Sequence, residues 1–502
     1  MLGSPVLQAL FLTLLLSLSL SSCNNKKIDQ TIRFGLSNTP VTFDPRYATD
    51  AISSRINRLL YQRLVDFDEK TKVVPALANW QQLSPSHYRF KLIKAAQFHH
   101  GKALTMVDVK ATYESILSDK KVSPHRNSIK HIKKMQLIDN NTLDFYLSRP
   151  DSLFPGLLVI GILPHQLLSE QHPFNTKPIG SGEFSFIQWP NDQLLKLRRI
   201  RDLQLFEFVS VKDPTVRILK LLRGELDIIQ NNLPTEQIDY LKKHKDINHQ
   251  QVMGSNYSYI GFNLMDPITK NKQLRRAIAH AINRDEIIHY VLGDAAIKAN
   301  GFFPDYHWVA NRQLKAHKYD PDLAIKILNS LGYDQKNPLA LTFKTSNNPF
   351  SIRKATIIQN QLSKVGIKLS IQSYDWGTFY SDIKKGRFQL YSLEWVGIKS
   401  PDIYNYVFHS KAMPPKGANR GRLNKPFIDQ LIDKGDQAIN IADKIKYYQQ
   451  LQQELHQLLP YVSLWYMSNI SFYRENISGY KVYKDGIYDG LSLVSKTIRN
   501  QH

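Results

Sequence analysis

The chain has 502 residues, one cysteine, and 66 lysines and arginines against 43 aspartates and glutamates, for a formal charge of +23 with histidines neutral. A single thiol excludes an internal disulfide, and the length is ample for ordinary hydrophobic cores, more than one of them. The basic excess is scattered through pieces such as KHIKKM (130–135), YLKKHK (240–245) and IKKGR (383–387), which alternate with apolar residues as solvated helix faces do.

The first predicted element is a leader. Residues 6–20, VLQALFLTLLLSLSL, form an apolar run of about fifteen residues, the length of a secretory core and short of a membrane-spanning helix. Behind it, Leu20-Ser21-Ser22-Cys23 places a large apolar residue, two small ones and the lone cysteine. This resembles the lipobox of bacterial lipoproteins, in which the thiol is acylated and becomes the new N-terminus. The resemblance implies a signal peptide at 1–22, lipidation at Cys23 and a lipid-anchored linker at 23–30. Residues 1–5 carry no lysine or arginine, so the alternatives are an uncleaved anchor or an ordinary secreted protein. Acyl chains contribute roughly 0.8 kcal/mol per buried CH₂, enough in pairs to hold a protein on a membrane. No second apolar run near 18 residues follows, so the body is expected to be exported and soluble. Nucleic acid is then no partner, and the basic charge points to anionic lipid or anionic ligands.

Further along, His99-His100 invites a metal reading, but neighbours in a strand point to opposite faces, and a surface turn with Gly101 fits better. Thr105 to Asp108 reads as a capping box opening a helix through VKATYESIL. Ile179-Gly-Ser-Gly-Glu183 reads as a tight turn before the strand FSFIQW. ELDIIQ (225–230) and SYIGFNL (258–264) give strand signals. Residues 274–288 repeat apolar groups at Leu274, Ala277, Ile278, Ala281, Ile282 and Ile288, a helical spacing. Asp320-Pro321-Asp322 starts a helix that Gly332 ends. LALTFK (339–344) alternates as a strand, RKATIIQNQLSKV is helical up to Gly366, and Ile367, Leu369 and Ile371 alternate again. Strand, helix, strand makes an α/β unit, and the class is α/β in at least two lobes.

Catalytic signatures are absent. The chain has no HExxH, no G-x-S-x-G and no Walker-type GK[ST], and acylation would remove Cys23 as a nucleophile. No catalytic residue, cofactor or metal site is expected, and the chain is read as no enzyme.

A longer series of landmarks carries more. Phe43-Asp44-Pro45, RINRLLYQRLVDFD, VVPALANWQQ and YRFKLIKAAQFHHGKALTMVDVKATYES are followed by PIGSGEFSF (178–186), LLRGELDI (221–228) and GFNL (261–264). After them come LRRAIAHAINRDEII (274–288), YDPDLAIKILNSLGY (319–333), LSKVGIKL (362–369) and LPYVSLWY (459–466). In this order the chain resembles the extracytoplasmic solute-binding proteins of family 5, which serve ABC importers of oligopeptides, dipeptides and nickel chelates. The resemblance implies a two-lobed, class II periplasmic-binding-protein (Venus-flytrap) fold with an extra subdomain. Lobe one is expected at 31–46, 179–263 and 466–502, its subdomain at 47–178 and lobe two at 264–465. It also implies a monomeric, periplasmic, lipid-anchored receptor that closes on a peptide and delivers it to a permease with ATPase subunits.

At the pocket the chain departs from that family. Peptide-binding members present a carboxylate to the ligand's α-ammonium from a Trp-x-Gly/Ala-Asp stretch, where this chain has Trp395-Val396-Gly397-Ile398. Where dipeptide binders grip the ligand carboxylate with arginine, Thr345 stands beside Lys344. Either a shifted loop lets Asp402 or Lys344 act, or the ligand is unusual: γ-linked, a cell-wall peptide, or a metal chelate. A peptide-like ligand is favoured over nickel, for which His409 is the one nominee. The expected ligand-binding residues are Tyr47, Ala48, Thr49, Asn256, Tyr257, Lys344, Thr345, Trp395, Gly397 and Ile398.

Overall fold

The computed structural model describes residues 29–118, 123–191, 193–293, 295–334 and 336–497; the leader and Cys23 lie outside them. Two long strands organise everything else. Ile247–Phe262 and Tyr461–Arg474 are rich in Tyr, Ile, Val and Phe, which suit a pleated, half-buried surface. They pair antiparallel from Ile247 opposite Arg474 to Gly261 opposite Tyr461. Together they form the middle of an 11-stranded mixed sheet. One flank continues through Ile228–Gln230, Ile32–Leu36, Leu205–Ser210, Leu194–Arg199 and Phe184–Asn191; the other continues through Leu390–Trp395, Leu339–Ser346 and Ile367–Tyr374. The sheet thus falls into two halves joined by the same two strands.

Where the halves meet, the register slips between Val252 and Asn256. Gly254 sits in that slip, and a Cβ there would stand 2.1 Å from the Met467 carbonyl oxygen, so the bulge needs glycine.

The first half packs Phe34, Phe43, Phe184, Phe206 and Phe208 under helix Ala51–Leu60. The turn at Gly180 and Gly182 lies on the end of that helix: added Cβ atoms would come within 2.0 Å of the Leu60 oxygen and 2.2 Å of the Leu59 oxygen. A separate four-stranded antiparallel sheet, ordered Ala78–Ser84, His87–Leu92, Thr142–Leu147, Ile132–Asp139, packs on helix Met106–Leu117. That helix starts as its sequence predicts, with the Thr105 backbone N–H donating to Asp108 Oδ2 at 2.8 Å. His99 donates from Nε2 to the Gly182 oxygen (3.0 Å) while His100 is exposed, so the pair belongs to a turn at Gly101.

The second half is a three-layer sandwich. Strands Leu339–Ser346 and Ile367–Tyr374 run parallel, linked by helix Pro349–Ser363, which is the expected α/β unit. Helices Lys272–Ala281, Arg284–Leu292, Pro321–Ser330 and Pro349–Ser363 cover one face. Helices Trp376–Lys385, Ile403–Phe408, Pro426–Gln437 and Ile441–Leu458 cover the other over an aromatic core. The periodic run 274–288 is two helices, not one. Asn283 breaks it, because its side chain accepts from the Glu286 N–H at 3.1 Å and starts a new helix. Among the described residues no helix is long and apolar enough to cross a membrane.

Candidate ligand-binding site

Asn256, Tyr257, Lys344, Thr345 and Trp395 lie on three adjacent strands of the sheet, Ile247–Phe262, Leu339–Ser346 and Leu390–Trp395. Tyr257 lies directly opposite Trp395, and Asn256, half-buried, sits at the slip opposite Met467. Tyr257 is buried, its hydroxyl 2.7 Å from Ser463 Oγ and its ring 5.0 Å from Phe302. Burial pushes its phenol well above the ordinary tyrosine value, so it is a neutral hydrogen-bonding group. Gly397 takes φ of +70° in an exposed turn, which lets the chain leave the sheet edge after Trp395. Ile398 then dips back into the aromatic core and is only 8% exposed.

Lys344 and Thr345 lie on the neighbouring strand, Lys344 in register with Tyr391, and both are buried. The Lys344 ammonium is 2.6 Å from Asp382 Oδ2 and lies over the Tyr374 ring, so its charge is met within the protein. Tyr47, Ala48 and Thr49 stand on the first half, in the turn before helix Ala51–Leu60. Arg46 chelates Asp44 at 2.6 Å and lies 5.3 Å from the Tyr47 ring centre; the Ala48 carbonyl accepts from His125 Nε2 at 3.1 Å, and Thr49 is exposed.

Several residues that sequence reasoning did not single out complete the surroundings. The Arg420 guanidinium lies 4.6 Å from the Trp395 ring centre and donates to the hydroxyls of Tyr259 (3.2 Å) and Tyr380 (3.1 Å). It is 7% exposed, and among the described residues no carboxylate pairs with it. Aromatic faces and phenols hold this charge, which makes the Trp395 wall cationic. No local pattern marks Arg420, because its contacts come from residues remote in sequence.

The loop after Trp395 also reaches the first half. Lys399 Nζ is 2.6 Å from Asp485 Oδ2 and lies over the Phe67 ring at 5.5 Å, and its carbonyl accepts from His307 Nε2 at 3.1 Å. Ser152 Oγ donates to the Ala438 oxygen at 2.6 Å, and the Lys484 ammonium sits 4.1 Å from the Tyr306 ring centre. The two halves are therefore in direct contact. Asp402, the alternative acceptor for a ligand amine, is pushed by burial up to about 6, with Ser400 opposing and Asp436 and Asp151 adding to the rise. His409 is buried beside Asp429 and Asp433, and among the described residues no group of three such side chains is placed to hold a metal ion.

Residues 72–414 match the sequence profile of the "Bacterial extracellular solute-binding proteins, family 5 Middle". The dipeptide-binding protein of Escherichia coli (strain K12) is 24% identical over 497 residues, covering 90% of this chain and 92% of its own. The oligopeptide-binding protein AppA of Bacillus subtilis (strain 168) is 27% identical over 483 residues, covering 88% and 87%. The solved structure of that AppA with a nonapeptide has a TM-score of 0.77 at 25% identity, over 93% of this chain and 99% of that one. NikZ from Campylobacter jejuni in complex with Ni(L-His) has a TM-score of 0.79 at 22% identity, over 93% and 99%, a likeness of fold. These relatives are named for the solutes they bind, and in this chain two halves of one sheet share the same two long strands. With most of its length matched and the two-lobed α/β scaffold in place, the chain belongs to the bacterial extracellular solute-binding proteins, family 5.

Proposed function

We propose that the chain is the lipid-anchored, monomeric substrate-binding component of an ABC peptide importer, working on the outer side of a bacterial membrane. Lobe one (31–46, 179–263, 466–502) with its subdomain (47–178) and lobe two (264–465) close on a peptide and present the closed form to the permease. The observation that carries this reading is mechanical: two strands, slipped in register at Gly254, join the halves, and polar contacts such as Lys399 to Asp485 meet across the cleft. The names of the relatives, a dipeptide-binding and an oligopeptide-binding protein, supply the solute class.

Tyr47, Ala48, Thr49, Asn256, Tyr257, Thr345, Lys344, Trp395, Gly397 and Ile398 line the ligand's path in this reading, with Trp395 stacking on a peptide plane. Ile398 offers no acceptor to an ammonium, and burying an unpaired ammonium against it would cost several kcal/mol. The bound peptide therefore carries its amine elsewhere, as γ-linked and cell-wall peptides do.

Native mass spectrometry of the body from Asn24 onward, purified without unfolding, tests the reading. Retained peptide mass supports it, and a retained metal chelate with no peptide would move the assignment to the nickel branch. An ordinary mixture of α-peptides would show that Ile398 does not set the specificity.

A further inference from the structure

A cavity in the second half lies against the two long strands, helix Ile441–Leu458 and the chain at 300–317. Tyr257, Arg284, His317, Tyr404, His456 and Ser463 give it polar groups, and Phe302, Phe408, Leu314, Leu455 and Leu459 give it apolar walls. Among the described residues no aspartate or glutamate lines it. Of the residues proposed for the peptide, Tyr257 alone borders it, so the cavity is a separate place joined to that site through one side chain.

Arg284 brings the charge. It is 5% exposed, and among the described residues no carboxylate pairs with it. Nη1 donates to the Ser463 carbonyl at 3.0 Å and Nη2 to the His317 carbonyl, while Nε has no hydrogen-bond partner. A buried arginine kept for structure alone looks different. Arg275 donates through Nε, Nη1 and Nη2 to the carbonyls of Leu459 (2.8 Å), Thr269 (2.9 Å), Lys270 (2.7 Å) and Leu458 (2.6 Å). The fully buried Tyr404 hydroxyl also lacks a partner, whereas that of Tyr257 is held by Ser463 Oγ at 2.7 Å. The Tyr257 phenol feels the Arg284 charge and the Tyr404 phenol feels Tyr257, so these three polar groups stand close together.

Donors without acceptors beside a cation without a counter-charge call for an anion, and a guanidinium with a free N–H suits a carboxylate. Burial first, then His456, His280 and Arg284, pushes His317 down to about 3, and burial with Arg284 lowers His456 as well. Both imidazoles therefore stay neutral, and one negative charge balances the cavity. Its apolar walls favour carbon over a hydrated inorganic ion. The cavity offers about 50 Å³. One buried water needs roughly 10–15 Å³ of such space, so a group of about four non-hydrogen atoms fits, the size of acetate.

We infer that this cavity binds a short monocarboxylate of two or three carbons, its carboxylate met by Arg284 and the Tyr404 hydroxyl and its carbon tail by the walls around Leu314, Leu455 and Phe408. It is a second ligand site, and it stands whatever solute the two lobes enclose. Through Tyr257 and Ser463 the site borders both of the strands that join the halves.

Thermal denaturation of the body from Asn24 onward, at fixed ionic strength with sodium acetate or propionate replacing sodium chloride, tests it. The melting temperature is expected to rise saturably with either acid, by about 2 °C or more at roughly 100 times the half-saturating concentration. Acetamide, of the same size but neutral, should leave it unchanged. Tyr404→Phe removes a hydroxyl that has no partner to lose, so it should fold as the wild type does and raise the half-saturating concentration at least about tenfold. A crystal structure grown in acetate should show the carboxylate against Arg284. Equal shifts with acetate and acetamide, no shift with either acid, a Tyr404→Phe curve that overlays the wild type, or a cavity that holds only water in acetate each overturns the assignment. A shift with chloride and none with acetate would give the cavity to a halide and overturn the carboxylate.

Discussion

Asp402 ends the loop that leaves the sheet at Trp395, and burial raises its carboxyl to about 6 while the Ser400 hydroxyl opposes and Asp436 and Asp151 add to the rise. Lys444, itself lowered by burial to about 8, is the cation of that cluster, and it donates to the Gly435 carbonyl at 2.8 Å. An acid whose folded value is raised holds its proton after the unfolded chain has released one, so its contribution to stability is complete below about pH 4 and is lost as pH rises to about 6. Asp402→Asn removes that loss. Its melting temperature should exceed the wild type's by about 2 °C or more near pH 7, and the gap should close below about pH 4. Thermal denaturation across that range checks it, and parallel curves would show that Asp402 ionises freely in the fold. The same scale shows what a sequence hides. Lys344 at a strand end reads as a spare cation until Asp382, from a different helix, is found 2.6 Å away. Arg420 gives no local signal at all, because the hydroxyls it donates to belong to Tyr259 and Tyr380, remote in sequence.

The hinge is a property of two elements together. Val252 pairs with Asn469 and Asn256 with Met467, so three residues on one strand face one on the other, and Gly254 is where that excess is taken up. With a Cβ only 2.1 Å from the Met467 oxygen, Gly254→Ala must shift backbone against backbone. It is expected to destabilise the fold by about 1–3 kcal/mol and to alter closure, read by denaturant unfolding and by small-angle scattering with and without ligand. Element starts were legible in the sequence wherever the cause was local. Asp320 accepts from the Leu323 N–H at 2.9 Å as its spacing suggests, and Gly366 ends its helix with φ of +86°. Periodicity ran on through Ile282 because apolar residues recur on both sides of Asn283, and only the cap bond shows the break. The bulge was not legible either, since a register slip depends on the partner strand some 200 residues away. For the same reason Tyr257 and Trp395 could each be nominated, but not as cross-strand neighbours.

At the scale of the molecule, the balance between open and closed forms decides how tightly any ligand is held, because a ligand stabilises closure only by its preference for the closed state. Lys399 and Asp485 bias that balance without a ligand: their side chains are 21% and 19% exposed and meet at 2.6 Å across the cleft. Lys399 also helps to hold Asp485 and Asp66 ionised against the burial that opposes it. A partly exposed pair of this kind is worth up to about 1 kcal/mol, roughly a fivefold change in the ratio of closed to open molecules. Lys399→Ala should therefore raise the radius of gyration of the ligand-free protein in small-angle scattering and weaken ligand capture by a similar factor. Salt separates this from a packing defect. At about 1 M ionic strength the Debye length is near 3 Å, so the wild type should approach the variant while the variant itself changes little. A variant as compact as the wild type at low salt would place the energy of closure in the shared aromatic and backbone contacts, with the ion pair merely following the lobes together.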